Sequence, residues 1–143
     1  MTITPSDLVG YADSCLNSAI DEVTWRAVAG RAYYGVFHFC RDLVNTHSDL
    51  SNLALDSTFG SHERWYQAML TNGITCANEM KSIAYIARNM RPTREHADYR
   101  LDHNFPQDYA QQAVARAKTI QAKYDALIQK LRGTGVASSD PKP

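Results

Sequence analysis

The chain has 143 residues, and 15 lysines and arginines balance 15 aspartates and glutamates, so the formal net charge is 0. This length suits one domain with its own core, and the balanced charge excludes a protein held on nucleic acid or an anionic membrane by its overall field. Because no apolar stretch approaches the ~20 residues of a membrane span and the N-terminus lacks the features of a signal peptide, we expect a cytoplasmic protein without membrane contact.

Two helices are predicted in the first third of the chain. Thr4 offers a capping hydroxyl, Pro5 follows where its missing N–H costs nothing, and Asp7 places a negative charge near the helix N-terminus. Apolar residues then recur at steps of three and four, which indicates an amphipathic helix. A second helix of this kind is predicted over residues 24–44, and we expect it to be the central one.

The middle of the chain is less regular. Residues 45–60 mix turn formers with scattered apolar residues, which predicts a long loop. Ser61 is predicted to cap a short helix that ends near Gly73. A fourth helix is predicted over residues 74–90, because Pro92 is expected to stop it.

The C-terminal part is predicted to contain a joint over residues 92–105 and one more helix. Pro106 can open this helix, and Gly133 is expected to end it. The polar tail from residue 133 to 143 has the composition of a disordered segment. The prediction is therefore an all-α, up-and-down four- to five-helix bundle over residues 1–132.

The sequence lacks the motifs of several common metal and phosphate sites. The Glu-x-x-His pairs of di-iron bundles, the His-Glu-x-x-His zinc motif and a glycine-rich phosphate loop are all absent. We therefore predict no metal and no cofactor. The three cysteines form no C-x-x-C pair and are expected to be buried thiols.

Positive charge is concentrated near the predicted joint. Four arginines stand against Glu95 and Asp98 within thirteen residues, a local formal charge of +4 − 2 = +2 that suits a phosphate. The alternative is a solvated interhelical turn with ion pairs. The four arginines are Arg88, Arg91, Arg94 and Arg100.

An aromatic run lies on the second predicted helix. Because this helix is expected to be the most buried one, we predict mainly architectural roles for Arg31, Tyr33, Tyr34 and His38.

Several of these segments resemble the HEPN domains of prokaryotes, over roughly residues 8–132. The resemblance is to small stand-alone HEPN proteins that are often paired with minimal nucleotidyltransferases, and it implies the same four- or five-helix bundle. It is carried by Trp25, by the string Arg31-Ala32-Tyr33-Tyr34-x-x-Phe37-His38, by the pair Ser61-His62, and by Arg94-x-x-Ala97-Asp98-Tyr99.

The resemblance also implies an activity. Many HEPN proteins are metal-independent endoribonucleases of toxin or defence type that carry Arg-x(4 to 6)-His near a late helix and act as homodimers. Arg91 and His96 fit this spacing and location and are the implied catalytic pair. His96 would serve as general acid or base, Arg91 would stabilise charge on the phosphorane, and the 2′-OH of the RNA would be the nucleophile.

Other residues receive roles from the same resemblance. The implied contacts to RNA phosphates come from Arg88, Arg94 and Arg100. A nucleotidyltransferase-type antitoxin is the implied partner, and Tyr99 is the implied modification site. The alternative for Tyr99 is a ring packed under the final helix.

Two other functions stay open. Pro92 directly follows Arg91, where HEPN nucleases usually have a polar residue, so the domain is alternatively an inactive HEPN module that binds nucleotide, RNA or a nucleotidyltransferase. The third reading is an unrelated helical bundle with purely structural contacts.

Overall fold

The computed structural model describes residues 2–50 and 60–136, which form five α-helices and, within these ranges, no β-strand. Helix α2 packs against each of the other four helices, which confirms that it is the central one. The predicted all-α class is therefore confirmed. The helices are α1 (Pro5–Ser18), α2 (Glu22–Thr46), α3 (Glu63–Met69), α4 (Ala77–Tyr99) and α5 (Gln107–Gly133).

The core fills the space between α2, α4 and α5. Its large side chains come from one face of each long helix, as the helical periodicity predicts. Burial raises the pKa of the Cys40 thiol, and Cys15 and Cys76 are free and half-buried. Among the largest fully buried side chains are Tyr33, Phe39, Leu43, Met80, Ile83, Met90, Ile120 and Leu127.

Helix α1 begins and docks as its sequence dictates. The Thr4 hydroxyl accepts a hydrogen bond from the Asp7 N–H at 3.3 Å, and the Asp7 carboxylate accepts one from the Thr4 N–H at 2.7 Å. Farther along, α1 crosses α2 at Gly35. A Cβ atom on Gly35 would lie 2.7 Å from Val9 Cγ2 and 3.2 Å from the Pro5 carbonyl oxygen, so this close approach requires glycine.

The segment between α2 and α4 differs in part from the prediction. The expected Ser61 cap is wrong, because the N-cap of α3 is His62 and its side chain makes no capping bond. The helix ends at Met69, and Gly73 instead occupies a left-handed turn with φ of 80°. Residues 51–59 of the predicted loop lie outside the described residues.

His47 ties the end of α2 to the segment before α4. Its ring is fully buried, Nε2–H donates to the Thr75 carbonyl at 2.8 Å, and Nδ1 accepts from the Asp49 N–H at 3.1 Å. Both ring nitrogens are therefore used in the structure of the connection.

The predicted stop of α4 before Pro92 is wrong. The helix begins at Ala77 and continues through Pro92 to Tyr99, so most of the predicted joint is helical. Pro92 is exposed, and a solvent-facing proline costs the helix one hydrogen bond without forcing a neighbouring helix away. The actual connection to α5 spans only residues 100–106.

Arg26 of α2 caps the C-terminal end of α4. Its side chain is only 11% exposed, and its guanidinium donates to backbone carbonyls that the end of a helix leaves without partners. A buried cation at this position also complements the helix dipole. Its acceptors are the carbonyls of His96 and Ala97, each at 3.0 Å, of Arg100 at 3.1 Å, and of His103.

Glu22 completes this junction. It pairs with Arg26 at 3.1 Å and accepts a hydrogen bond from the Phe105 N–H at 2.6 Å. The Phe105 N–H, followed by the Arg26 side chain, lowers the pKa of Glu22. The first turn of α2 therefore holds both the end of α4 and the connection that follows it.

The last helix agrees with its predicted limits. Pro106 is the N-cap of α5, and Gly133 is its final residue. Beyond it, the Val136 N–H donates to the Leu131 carbonyl at 2.9 Å, and the Val136 carbonyl accepts from the Ser48 N–H at 2.8 Å. The rest of the predicted tail, residues 137–143, lies outside the described residues. Within the described ranges, no helix is both long and apolar enough to cross a membrane.

Gly35→Ala is expected to destabilise the protein by about 1–3 kcal/mol, because the added methyl group meets Val9 and the Pro5 carbonyl. Thermal unfolding followed by circular dichroism measures the effect. Gly10→Ala is the matched control, since nothing lies within 4 Å of a Cβ atom there, and it is expected to raise stability by up to ~1 kcal/mol. Equal effects of the two substitutions would contradict the close approach.

Arg26→Met is expected to cost roughly 3 kcal/mol, because four carbonyls lose a charged donor while Glu22 loses its ion-pair partner. The free energy of unfolding in urea provides the measurement. Arg31→Met, an exposed position on the same helix, is the control and is expected to be nearly neutral. An Arg26 variant as stable as this control would show that the cap contributes little.

Candidate functional site

Two arginines of α4 face α3 and share one carboxylate. Arg88 Nε lies 3.0 Å from Glu63 Oε1, and Arg91 Nη1 lies 3.6 Å from Glu63 Oε2. Arg91 also pairs with Glu95 at 3.3 Å, one turn farther along the same helix. The hydrogen bond from Arg88 is the main reason that the pKa of Glu63 is lowered.

The third arginine of this row, Arg94, packs between α4 and α2. Its Nη2 donates to the Tyr34 hydroxyl at 2.8 Å, and its Nε lies 2.9 Å from Asp98 Oδ2. The guanidinium carbon is 5.4 Å from the centre of the Tyr34 ring and 5.3 Å from the centre of the Tyr99 ring. Arg94 therefore makes cation–π contacts with these two tyrosines and, at 6.0 Å, with Tyr33.

His62 lies beside these arginines, at the start of α3. Its Nδ1 is 2.8 Å from the Tyr33 hydroxyl, which is 2.6 Å from the Tyr66 hydroxyl. The imidazole stacks on the Tyr33 ring at 5.5 Å and contacts Phe37 at 4.5 Å. Because both tyrosines are buried, the hydroxyl pair and the ring contacts fix the orientation of the imidazole. Nε2 makes no hydrogen bond to any described residue.

The surroundings of His62 favour its neutral form. Partial burial, followed by the positive charges of Arg91 and Arg94, lowers its pKa, and only Glu95 acts in the opposite direction. Burial raises the pKa of Tyr33 to about 12, so its hydroxyl keeps its proton. At neutral pH the site holds an uncharged imidazole next to two guanidinium groups, which is the form a general base needs.

The implied catalytic pair is not brought together within one chain. Arg91 and His96 are five residues apart on a continuous helix of ~3.6 residues per turn, so they point about 140° apart. Arg91 faces Glu63, whereas the His96 ring packs against Phe105 at 5.4 Å and Tyr109 at 5.7 Å. His96 Nε2 is buried and finds no hydrogen-bond partner in the described part of the chain.

Two other predicted residues, Tyr99 and Arg100, lie together at the C-terminal end of α4. Arg100 is exposed and takes part in the α4 cap through its backbone carbonyl. Tyr99 is 70% exposed, so the alternative of a ring packed under the final helix is wrong. Counting Glu63, the four arginines face three carboxylates, and the local formal charge falls from +2 to +1.

The architectural roles predicted for the aromatic run hold only in part. Tyr33 belongs to the core, but Tyr34 is half-buried and binds Arg94. Arg31 is exposed rather than buried, and it lines a groove between α1 and α2. His38 is half-buried against Phe37.

Sequence reasoning missed the position of His62. The Ser61-His62 pair entered only as part of the resemblance, without a role. A usable signal existed, because Tyr33 and Phe37 are four residues apart and therefore share one face of α2, where they can hold a further ring. Among the described residues, no group of three or more histidines, cysteines or acidic residues is arranged to hold a metal ion.

No protein-family model matches the chain, and neither does any curated protein or solved structure. The assignment to the HEPN family therefore depends on the sequence resemblance alone.

We expect the pKa of His62 to lie below the ~6.5 of an unfolded chain. Arg91→Gln is expected to raise it, because a positive charge is removed, and Glu95→Gln is expected to lower it further. NMR titration of the imidazole signals measures all three values, with Arg116→Gln on α5 as the control.

The same shift has a consequence for stability. As the pH falls, the unfolded chain binds a proton at this imidazole before the folded chain does, so the contribution of His62 to stability is lost from about pH 6.5 downwards. A pKa of 6.5 or higher in the folded protein would contradict the arrangement.

Proposed function

We propose that this protein is a HEPN-like, metal-independent endoribonuclease of toxin or defence type that acts as a homodimer. The observation that carries the proposal is the imidazole of His62, oriented by the buried Tyr33–Tyr66 hydroxyl pair and placed beside Arg91 and Arg94. An oriented base next to fixed positive charge is what transesterification of an RNA phosphodiester requires.

In the proposed reaction, the 2′-OH of the RNA attacks the adjacent phosphorus and the 5′ oxygen of the next nucleotide departs. With His62 Nδ1–H donating to Tyr33, which donates onward to Tyr66, Nε2 carries the lone pair and accepts the 2′-OH proton. Arg91 stabilises the negative charge on the phosphorane, and the departing 5′ oxygen takes a proton from solvent. The products are a 2′,3′-cyclic phosphate and a 5′-hydroxyl.

The choice of His62 over His96 follows from access. The free ring nitrogen of His96 is buried against Phe105 and Tyr109, so an RNA hydroxyl reaches it only after this contact opens. His62 is half-buried and has Arg91 close enough to lower its pKa. Arg91 and His96 remain the pair implied by the resemblance, and the experiment below separates the two assignments.

The remaining arginines are proposed to position the RNA backbone. Arg88, Arg94 and Arg100 extend the positive surface to either side of Arg91, and their contacts to phosphates carry no sequence information. The requirement for a 2′-OH nucleophile restricts cleavage to RNA.

Homodimerisation is proposed to use the exposed apolar surface between α1 and α2. Tyr11 and Val23 are largely exposed there and line a groove of about 300 Å³. Amphipathic helices with such an uncovered face commonly share it with a second copy.

A nucleotidyltransferase-type antitoxin is proposed as the regulator, with Tyr99 as the residue it modifies. The exposure of Tyr99 supports this, because a large anion attached to its hydroxyl would have free access. Such an anion next to Arg94 would repel RNA phosphates from the surface.

A second candidate, the inactive HEPN module that binds nucleotide, RNA or a nucleotidyltransferase, is favoured by a separate observation. Glu63 and Glu95 occupy the guanidinium groups of Arg88 and Arg91, so a phosphate has to compete with two carboxylates. This arrangement suits reversible binding of a polyanion without reaction.

The test is cleavage of a labelled single-stranded RNA in the presence of EDTA. The parent protein is expected to release 2′,3′-cyclic phosphate ends and to leave the matching DNA intact. His62→Gln is expected to lose at least ~100-fold in rate, as for the removal of a general base, whereas His96→Gln is expected to stay within a few fold of the parent.

Circular dichroism of each variant verifies folding, and RNA binding by fluorescence anisotropy is measured in parallel. If His96→Gln loses the activity and His62→Gln keeps it, the Arg91–His96 pair is the site. Tight binding without cleavage by the parent protein would support the inactive module.

A further inference from the structure

Tyr99 is an exposed aromatic ring in a fixed position. One face lies over the Arg94 guanidinium at 5.3 Å, and the side chain is nevertheless 70% exposed, so the other face is open. Exposed tyrosines usually have no such support, and they are free to rotate.

The support beneath the ring is itself held in place. Arg94 donates a hydrogen bond to the Tyr34 hydroxyl at 2.8 Å and forms an ion pair with Asp98 at 2.9 Å, and its guanidinium also lies over the Tyr34 ring at 5.4 Å. The guanidinium therefore contacts a half-buried ring and an exposed ring at once. Because its neighbours restrict Arg94, a ligand that stacks on Tyr99 pays little of the ordering cost that a free side chain would impose.

We propose that the open face of Tyr99 binds a nucleobase of single-stranded RNA by stacking. This inference rests on the proposed RNA-binding function and adds a base contact to its phosphate contacts. Aromatic rings beside a positively charged track are the usual platforms for single strands, since every base has a π-face, and a duplex would hide those faces. The Tyr99 ring is therefore expected to stack on any base, provided that the base is unpaired.

Tyr99 and the candidate site are close enough for one RNA strand to contact both. Tyr99 follows Arg91 by eight residues of one helix, about 12 Å along its axis. Arg94 lies between them, and Arg100 follows Tyr99 with an exposed side chain. A phosphate bound at Arg91 and a base stacked on Tyr99 thus belong to one extended strand that follows the end of α4.

The experiment measures the binding of short 2′-O-methyl RNA, which cannot be cleaved because its nucleophile is blocked. One oligonucleotide carries 2-aminopurine, whose fluorescence reports stacking, and a second of equal length and charge carries abasic sites. Tyr99→Ala is expected to weaken binding of the base-containing strand about tenfold, whereas Tyr99→Phe keeps the ring and the affinity.

The abasic strand supplies the comparison that isolates the stacking. The parent protein is expected to bind it about tenfold more weakly than the base-containing strand, and Tyr99→Ala is expected to bind both strands alike. Tyr85→Ala is the matched control, because Tyr85 is a 53% exposed tyrosine on the same helix, about 21 Å away along the axis.

The outcomes separate this inference from the proposed function. Equal binding of both strands by the parent protein, with no effect of Tyr99→Ala, overturns the stacking and leaves phosphate binding intact. If neither strand binds, both the stacking and the proposed RNA function are overturned. An equal loss from Tyr85→Ala also overturns the assignment, because the effect would then not depend on the Arg94 support.

Discussion

One largely buried guanidinium group, that of Arg26, determines where helix α4 ends. The last carbonyls of an α-helix have no partners within the helix, and a helix end that is covered by other elements needs donors from outside. Arg26 supplies these donors to the end of α4, and Glu22, one turn earlier, holds the connection to α5. The first turn of α2 thereby fixes the direction in which the last turns of α4 point. Arg94 and Tyr99 depend on this arrangement, because they project from those turns.

The core and the candidate site share side chains. Tyr33 and Tyr66 are fully buried and contribute apolar packing, yet their hydroxyls form the chain of hydrogen bonds that orients His62. Buried hydroxyls need partners, and here each satisfies the other while one also reaches the imidazole.

The carboxylates beside the arginines add a second constraint. Since Glu63 and Glu95 occupy Arg88 and Arg91, a single weak anion gains little there, whereas a strand with several phosphates gains at several arginines at once.

Local patterns predicted most of the fold and little of the candidate site. Periodicity, the Thr4 cap and the glycine at the end of α5 act within a few residues, and the helices that they indicate are present. The predicted stop at Pro92 is wrong because this proline faces solvent, where a helix tolerates it. The continued helix is capped by Arg26, which is 70 residues away from His96 in the sequence and so gives no local signal. His62 bonds to Tyr33 across 29 residues, so its role has no signal in either segment alone. The expectation that Arg91 and His96 act together depends on a joint after Met90, and the continuous helix found there turns the two side chains apart.

Pro92 also divides α4 into two parts with different dynamics. A proline has no N–H, so the Arg88 carbonyl lacks its partner in the next turn, and the hydrogen-bond ladder is thinnest at this point. Local opening requires fewer broken bonds at such a position, and the segment beyond it is expected to open as a unit when the Arg26 contacts break. Its amide protons would then exchange with solvent sooner than those of the preceding turns. Arg94, Asp98 and Tyr99 all belong to this segment, so the contacts among these three side chains move with it, whereas Tyr33 and Tyr66 belong to the core.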